Sequence, residues 1–141
     1  MRNSEFGITN EKFCISIIIE EQQMSNPVLE KSKAFALQTI KLYKYLAEEK
    51  HEYILSKQIL RSGTSIGANI RDATRGQTAP MFYSKMNISL GKAEETAYWL
   101  ELIYESDYIS KNQFESLYTD IDELIKLLVA ITKNQKGGQN V

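Results

Sequence analysis

Residues 78–105, TAPMFYSKMNISLGKAEETAYWLELIYE, contain the clearest helical pattern in the chain and decide its fold class. Apolar side chains recur there at intervals of three and four, at Phe82, Met86, Leu90, Ala93, Ala97, Leu100 and Tyr104. This spacing matches the 3.6-residue turn of an α-helix with one buried face. Trp99, Leu102 and Ile103 form a second apolar flank, so we expect this helix to be central or to contact a second copy of the chain.

The segment before it, residues 55–73, is also helical in pattern but contains unusually small residues. Its apolar face comprises Leu55, Ile59, Ser62, Ile66, Asn69, Ile70 and Ala73. Glycine inside a helix costs about 1 kcal/mol relative to alanine. We therefore expect a neighbouring helix to approach residues 62–68 closely, the alternative being a kink or break near Gly63. Gly76 is expected to end this helix.

A first helix is predicted to begin at Pro27, with Asn26 as its N-cap. Its predicted buried face comprises Phe35, Ala36, Ile40, Tyr43, Leu46 and Ala47. The pattern lapses at residues 49–51, where we expect a turn.

The last helix has the clearest start signal. Ser110 and Gln113 match a capping box, and Ile109 with Phe114 matches the hydrophobic staple around it. Its predicted buried face comprises Phe114, Leu117, Tyr118, Ile121, Leu124, Ile125, Leu128 and Ile131. Gly137 and Gly138 are expected to end it.

Four long helices joined by short turns favour antiparallel neighbours, so the sequence predicts an all-α, up-down-up-down four-helix bundle. We expect the bundle to span residues 24–136, with a C-terminal tail at 137–141. Residues 1–23 lack a helical stripe and are expected to form a non-helical or disordered tail, an edge strand being the alternative. Their longest apolar run, residues 13–19, is far shorter than the roughly 20 residues that span a bilayer. We therefore expect a cytoplasmic protein with no membrane partner.

The residue inventory argues against catalysis. A single cysteine, Cys14, excludes an internal disulfide framework, and a single histidine, His51, leaves little for acid–base or metal chemistry. His51 falls at a predicted turn, and no histidine follows Arg61, Arg71 or Arg75 closely. We expect no catalytic residue, no metal site and no cofactor.

The distribution of charge is more informative than the net charge of −1. Residues 24–93 contain eleven Lys and Arg against five acidic residues, whereas residues 94–141 contain four against nine. This division of charge can give a basic face that contacts nucleic-acid phosphates or the acidic face of a neighbouring subunit, the further alternative being a simple solvated surface. The candidate nucleic-acid-binding residues are Arg61, Arg71, Arg75, Lys85 and Lys92.

Two of these arginines have a structural alternative. Arg71 or Arg61 could pair internally with Glu95 or Asp72, with Asn69 hydrogen-bonded at the edge of the core. The candidate residues for an oligomer interface are Trp99, Ile103 and Leu102.

Three blocks, residues 65–73, 82–86 and 93–102, resemble the bacterial four-helix-bundle proteins encoded in 23S rRNA intervening sequences. The resemblance extends from Val28 to Lys133, although Gly91-Lys92 departs from the family pattern and puts a local ion pair in doubt. It implies a bundle that assembles into a ring, with a pentamer as the expected form. Related accessory proteins of diversity-generating retroelements bind nucleic acid and a reverse transcriptase.

Together, these observations predict a non-enzymatic homo-oligomer associated with RNA or DNA. The alternative is a protein–protein scaffold or adaptor with no nucleic-acid role.

Overall fold

The computed structural model describes residues 27–139, which form four helices: α1 (Pro27–Glu48), α2 (Leu55–Thr74), α3 (Ala79–Glu105) and α4 (Lys111–Gln139). Each helix packs against its two neighbours in the order α1–α2–α3–α4–α1. Residues 27–139 contain no strand, which confirms the predicted all-α four-helix bundle. Asn26 and the predicted tail at 1–23 lie outside the described residues.

The predicted helix boundaries are confirmed except at the C-terminal end. Pro27 occupies the first position of α1, and α2 ends at Thr74, two residues before Gly76. The prediction that Gly137 and Gly138 end α4 is wrong, since the helix continues to Gln139. Glycine weakens a helix without removing a backbone hydrogen-bond donor, so two glycines in a final turn need not end it.

The core lies between the four helices and consists of aliphatic side chains from all of them. Its largest fully buried members are Leu46, Ile59, Ile66, Ile70, Met86, Leu100, Ile103, Ile121, Leu124 and Leu128. The predicted buried face of α1 is partly wrong, because Ile40 is exposed and Tyr43 is only half-buried. Ser32 and Thr39 are buried in their place, because they face the glycines of α2.

The small residues of α2 bring that helix close to α1. A β-carbon at Gly63 would lie 2.7 Å from Thr39 Oγ1, and one at Gly67 would lie 3.2 Å from Ser32 Oγ. The helix α2 is continuous from Leu55 to Thr74. The predicted close approach is therefore confirmed, and the alternative of a break near Gly63 is wrong.

Buried hydroxyl groups join α2 to α3. Ser89 Oγ donates to the Ile66 carbonyl at 2.8 Å, and the hydroxyls of Ser62 and Thr96 are hydrogen-bonded at 2.8 Å. Buried hydroxyls with partners avoid the desolvation cost of unsatisfied polar groups. These bonds fix the register of α3 along α2.

The predicted capping box sets the start of α4, and a side-chain hydrogen bond joins α4 to α3. Ser110 N–H donates to Gln113 Oε1 at 2.8 Å, and Gln113 N–H donates to Ser110 Oγ at 3.1 Å. The Tyr118 hydroxyl donates to Glu101 Oε2 at 3.0 Å. This hydrogen bond, followed by burial and by the charges of Glu101 and Asp122, raises the pKa of Tyr118 above its usual value.

The turn between α1 and α2 is closed by an unpredicted cap. The Glu52 carboxylate accepts backbone N–H bonds from Ile54, Leu55 and Ser56, the last at 2.7 Å. A carboxylate at this point satisfies N–H groups that have no intrahelical partner, and its negative charge interacts favourably with the helix dipole.

Replacing Glu52 with alanine should lower the free energy of unfolding by about 0.5–2 kcal/mol, the range for lost N-caps. Urea denaturation followed by circular dichroism measures the change. Glu49→Ala is the matched control, because Glu49 lies in the same turn and its side chain caps no helix. Equal effects from both substitutions would contradict the role of the cap.

Candidate nucleic-acid interface

Three of the five predicted nucleic-acid-binding residues lie together where α2 ends and α3 begins. Arg71 and Arg75 line a groove of about 440 Å³ between α1 and α2, and Lys33 of α1 lines the same groove. Arg75 and Lys85 line an adjoining groove of about 410 Å³ beside the α2–α3 turn. We call the four cations Lys33, Arg71, Arg75 and Lys85 the basic end.

Local sequence explains how these side chains come together. Arg71 lies in the last turn of α2 and Arg75 follows the end of that helix at Thr74, and both side chains line the same groove. The close contact between Ser32 and Gly67 sets α1 against the same part of α2, which brings Lys33 to the arginines. Thr78 caps α3 by accepting the Met81 N–H at 3.2 Å.

The charge of the basic end is largely uncompensated. Asp72 is the one acidic residue lining either groove, and its Oδ2 lies 3.8 Å from Lys85 Nζ. Among the ion pairs between described residues, none involves Lys33, Arg71 or Arg75. Such cations are available to a phosphate or a carboxylate from outside the subunit.

The predicted internal pairing of Arg71 or Arg61 is wrong within residues 27–134. Glu95 instead pairs with Lys92, Oε1 to Nζ at 3.6 Å, and its Oε2 accepts the Trp99 indole N–H at 3.0 Å. Asn69 does lie at the edge of the core, where it donates to the Ser65 carbonyl at 2.9 Å.

Arg61 and Lys92 lie apart from the basic end. Arg61 is exposed on α2 ten residues before Arg71, which corresponds to about 15 Å along the helix axis. Lys92 is half-buried and engaged with Glu95. Lys33 is the functional candidate that sequence reasoning missed, because its position beside Arg71 depends on the tertiary contact between α1 and α2.

The predicted oligomer-interface residues differ in their positions. Ile103 is 0% exposed in the subunit's own core, so the structure corrects its assignment to an intersubunit surface. Trp99 and Leu102 are half-buried on α3.

A different apolar stripe is exposed on the outer face of α3. Met81, Ile88 and Tyr98 are 51%, 44% and 54% exposed. With Leu102 they follow spacings of seven, ten and four residues, which at 3.6 residues per turn spread the four side chains over an arc of about 100°, with the Lys92–Glu95 ion pair between Ile88 and Tyr98. The sequence contains this second periodicity, but the stronger core pattern of the same helix obscures it.

Two further features of residues 27–139 concern metals and membranes. No group of three or more His, Cys, Asp or Glu in this part of the chain is arranged to hold a metal ion. None of the four helices has the length and apolar character needed to cross a membrane.

The bundle, its helix order and its sequence define a family. The chain belongs to the 23S rRNA-intervening sequence protein family, whose model matches residues 24–130. It is similar to a crystal structure of a protein of unknown function from the S23 ribosomal protein family of Bacteroides thetaiotaomicron. The identity is 51% and the TM-score 0.75, over 77% of this chain and 96% of that one. No curated protein matches the chain.

Proposed function

We propose that this protein is a non-enzymatic, homo-oligomeric helical-bundle subunit that contacts the phosphate backbone of RNA or DNA through its basic end. The observation that carries the proposal is the grouping of Lys33, Arg71, Arg75 and Lys85 around a single carboxylate, Asp72. Each phosphate neutralised by such a cation releases condensed counterions, which drives binding without reading sequence. The relation of this family to nucleic-acid-binding accessory proteins of retroelements, which the sequence resemblance implies, favours the same function.

The proposed binding of nucleic acid is tested by electrophoretic mobility shift with structured RNA and duplex DNA at low and physiological salt. We expect a shift at low salt that weakens as salt rises. No shift at low salt, or a shift insensitive to salt, would count against a backbone contact.

The proposed homo-oligomer is supported by the exposed apolar stripe of α3. Several exposed apolar side chains on one outer surface of a small protein are typical of protein–protein contacts. Met81 and Ile88 are exposed toward the N-terminal end of α3, and Tyr98 is exposed beside the half-buried Trp99 and Leu102 toward its C-terminal end. We propose that copies of the chain pack through this face, with the pentameric ring that the resemblance implies as the expected form.

The double substitution Ile88→Glu/Tyr98→Glu should reduce the oligomer to smaller species, because burying carboxylates without partners is costly. Light scattering coupled to size-exclusion chromatography measures the mass. The control is Ile54→Glu, since Ile54 is 73% exposed but lies in the turn before α2. A wild-type monomer at high concentration, or a double variant of unchanged mass, would contradict the proposed interface.

The alternative function is a protein–protein scaffold with no nucleic-acid role. It is supported by the division of charge, since a basic end can dock on the acidic half of a neighbour. In that case Arg71 and Arg75 become buried on assembly, so reversing their charge changes the mass of the oligomer.

A further inference from the structure

The groove between α1 and α2 has features that the proposed function does not require. Backbone binding needs only positive charge on an exposed surface, whereas this groove is a concave space of about 440 Å³. Its walls include the small residues Ala36, Gly67 and Ala68, and Lys33, Arg71 and Arg75 line it together. Ser32 of α1 packs against Gly67, whereas the short side chains of Ala36 and Ala68 fill little of the groove beside the cations.

The donors available in the groove are the three cations. Ser32 and Thr64 also line it, but Ser32 Oγ donates to the Leu29 carbonyl at 3.0 Å and Thr64 Oγ1 donates to the Leu60 carbonyl at 2.8 Å. Each hydroxyl has one proton, so neither has a further proton to offer a ligand. A ligand in the groove would therefore be bound by the Lys33 ammonium and by the guanidinium groups of Arg71 and Arg75. The planar guanidinium group can donate two parallel hydrogen bonds to a phosphate.

The one carboxylate at the rim is engaged on the other side. Asp72 Oδ2 lies 3.8 Å from Lys85 Nζ, in the adjoining groove. Lys85 therefore offsets part of the repulsion that Asp72 would exert on an anion between the arginines.

We infer that the α1–α2 groove is a discrete phosphate-binding pocket, in which Lys33, Arg71 and Arg75 hold one phosphate group. This inference rests on the proposed function. It specifies one site for a phosphate group at the basic end, instead of a nonspecific electrostatic attraction. The phosphate can come from an internal phosphodiester or from a terminal phosphate, since both present the charged oxygens that these cations recognise.

The experiment uses the full chain, with calorimetric titration of inorganic pyrophosphate and fluorescence anisotropy of a labelled 20-base-pair duplex. Two substitutions in the groove are compared with matched substitutions on α2 outside it, Arg71→Gln with Arg61→Gln and Lys33→Gln with Lys57→Gln. All four side chains are exposed, and circular dichroism checks that each variant folds.

The pocket predicts that pyrophosphate binds the wild type once per subunit and displaces the duplex. Arg71→Gln should weaken both ligands by roughly tenfold or more, and Lys33→Gln by less, whereas the two outer variants change affinity by about twofold. Duplexes with 5′-phosphate and 5′-hydroxyl ends separate the two sources. Equal affinity indicates an internal phosphodiester, and tighter binding of the phosphorylated end indicates a terminal phosphate.

Two results would overturn the pocket. The first is the absence of pyrophosphate binding, and the second is an equal loss of duplex affinity from groove and outer variants, which indicates a diffuse field and leaves the proposed function intact. Pyrophosphate binding that depends on Arg71, without any duplex binding, would instead reject the proposed function and retain the pocket.

Discussion

Gly63→Ala is expected to lower the free energy of unfolding by about 1–3 kcal/mol, the usual cost of overpacking a core. Alanine normally stabilises a helix interior by about 1 kcal/mol relative to glycine, so the expected sign is opposite to that of helix propensity. The reason is the contact with α1, where the new β-carbon would lie 2.7 Å from Thr39 Oγ1 and 2.8 Å from its Cγ2. Denaturant unfolding monitored by circular dichroism measures the change.

Two controls isolate the contact. Gly91→Ala makes the same substitution in α3, where a β-carbon meets nothing within 4 Å, so no loss of subunit stability is expected. Thr39→Ala removes both clashing atoms. In a background that carries Thr39→Ala, the substitution Gly63→Ala should therefore cost much less stability than it does in the wild type. Additive effects of the two substitutions would contradict the close approach of α1 and α2.

Arg71→Glu/Arg75→Glu should weaken duplex binding by about a hundredfold or more at low salt, because it replaces two attractive phosphate contacts with two repulsive ones. Fluorescence anisotropy with a labelled duplex measures the affinity. The control is Lys44→Glu/Lys57→Glu, which makes the same change in net charge at exposed lysines that lie in no ion pair between described residues.

The mass of the oligomer distinguishes the two proposed functions in the same variant. If the basic end contacts nucleic acid, light scattering should show an unchanged mass. A changed mass with unchanged affinity for nucleic acid would favour the scaffold, since the arginines would then lie between subunits.

Much of the bundle follows from local patterns that act over one or two turns of helix. Pro27 and the capping box of Ser110 and Gln113 were predicted, because proline at the first helical position lacks an N–H that would be unpaired there, and the box satisfies N–H groups within its own segment. The Glu52 cap was not, since glutamate is an uncommon capping residue and its carboxylate reaches three N–H groups only in the folded turn.

Errors in the predicted core came from treating apolar residues as the buried ones. In α1 the side chains that meet the glycines of α2 are Ser32 and Thr39. The two helices approach so closely at these glycines that only small side chains fit between them. Ile40 was consequently misplaced in the core. In α3, Ile103 was assigned to an intersubunit surface although its helical position directs it into the subunit.

Only part of the candidate site could be predicted. The spacing of Arg71 and Arg75 and the short turn to α3 are properties of one continuous stretch, so grouping them with Lys85 needed no tertiary information. Lys33 joins them through the packing of α1 on α2, which the sequence does not display. Lys92 pairs with Glu95 three residues further along α3, a local spacing that the sequence does display and that the assignment of Lys92 to the nucleic-acid surface overlooked.

The salt dependence of duplex binding tests the central claim most directly. Anisotropy titrations of the wild type between about 50 and 200 mM salt give the slope of log affinity against log salt concentration. With one phosphate held in the α1–α2 groove and a second contacted by Lys85, the slope should be about −1 to −2 for each subunit that binds, since each neutralised phosphate contributes roughly −0.9. A slope near zero, or no measurable binding at about 50 mM salt, would contradict the account.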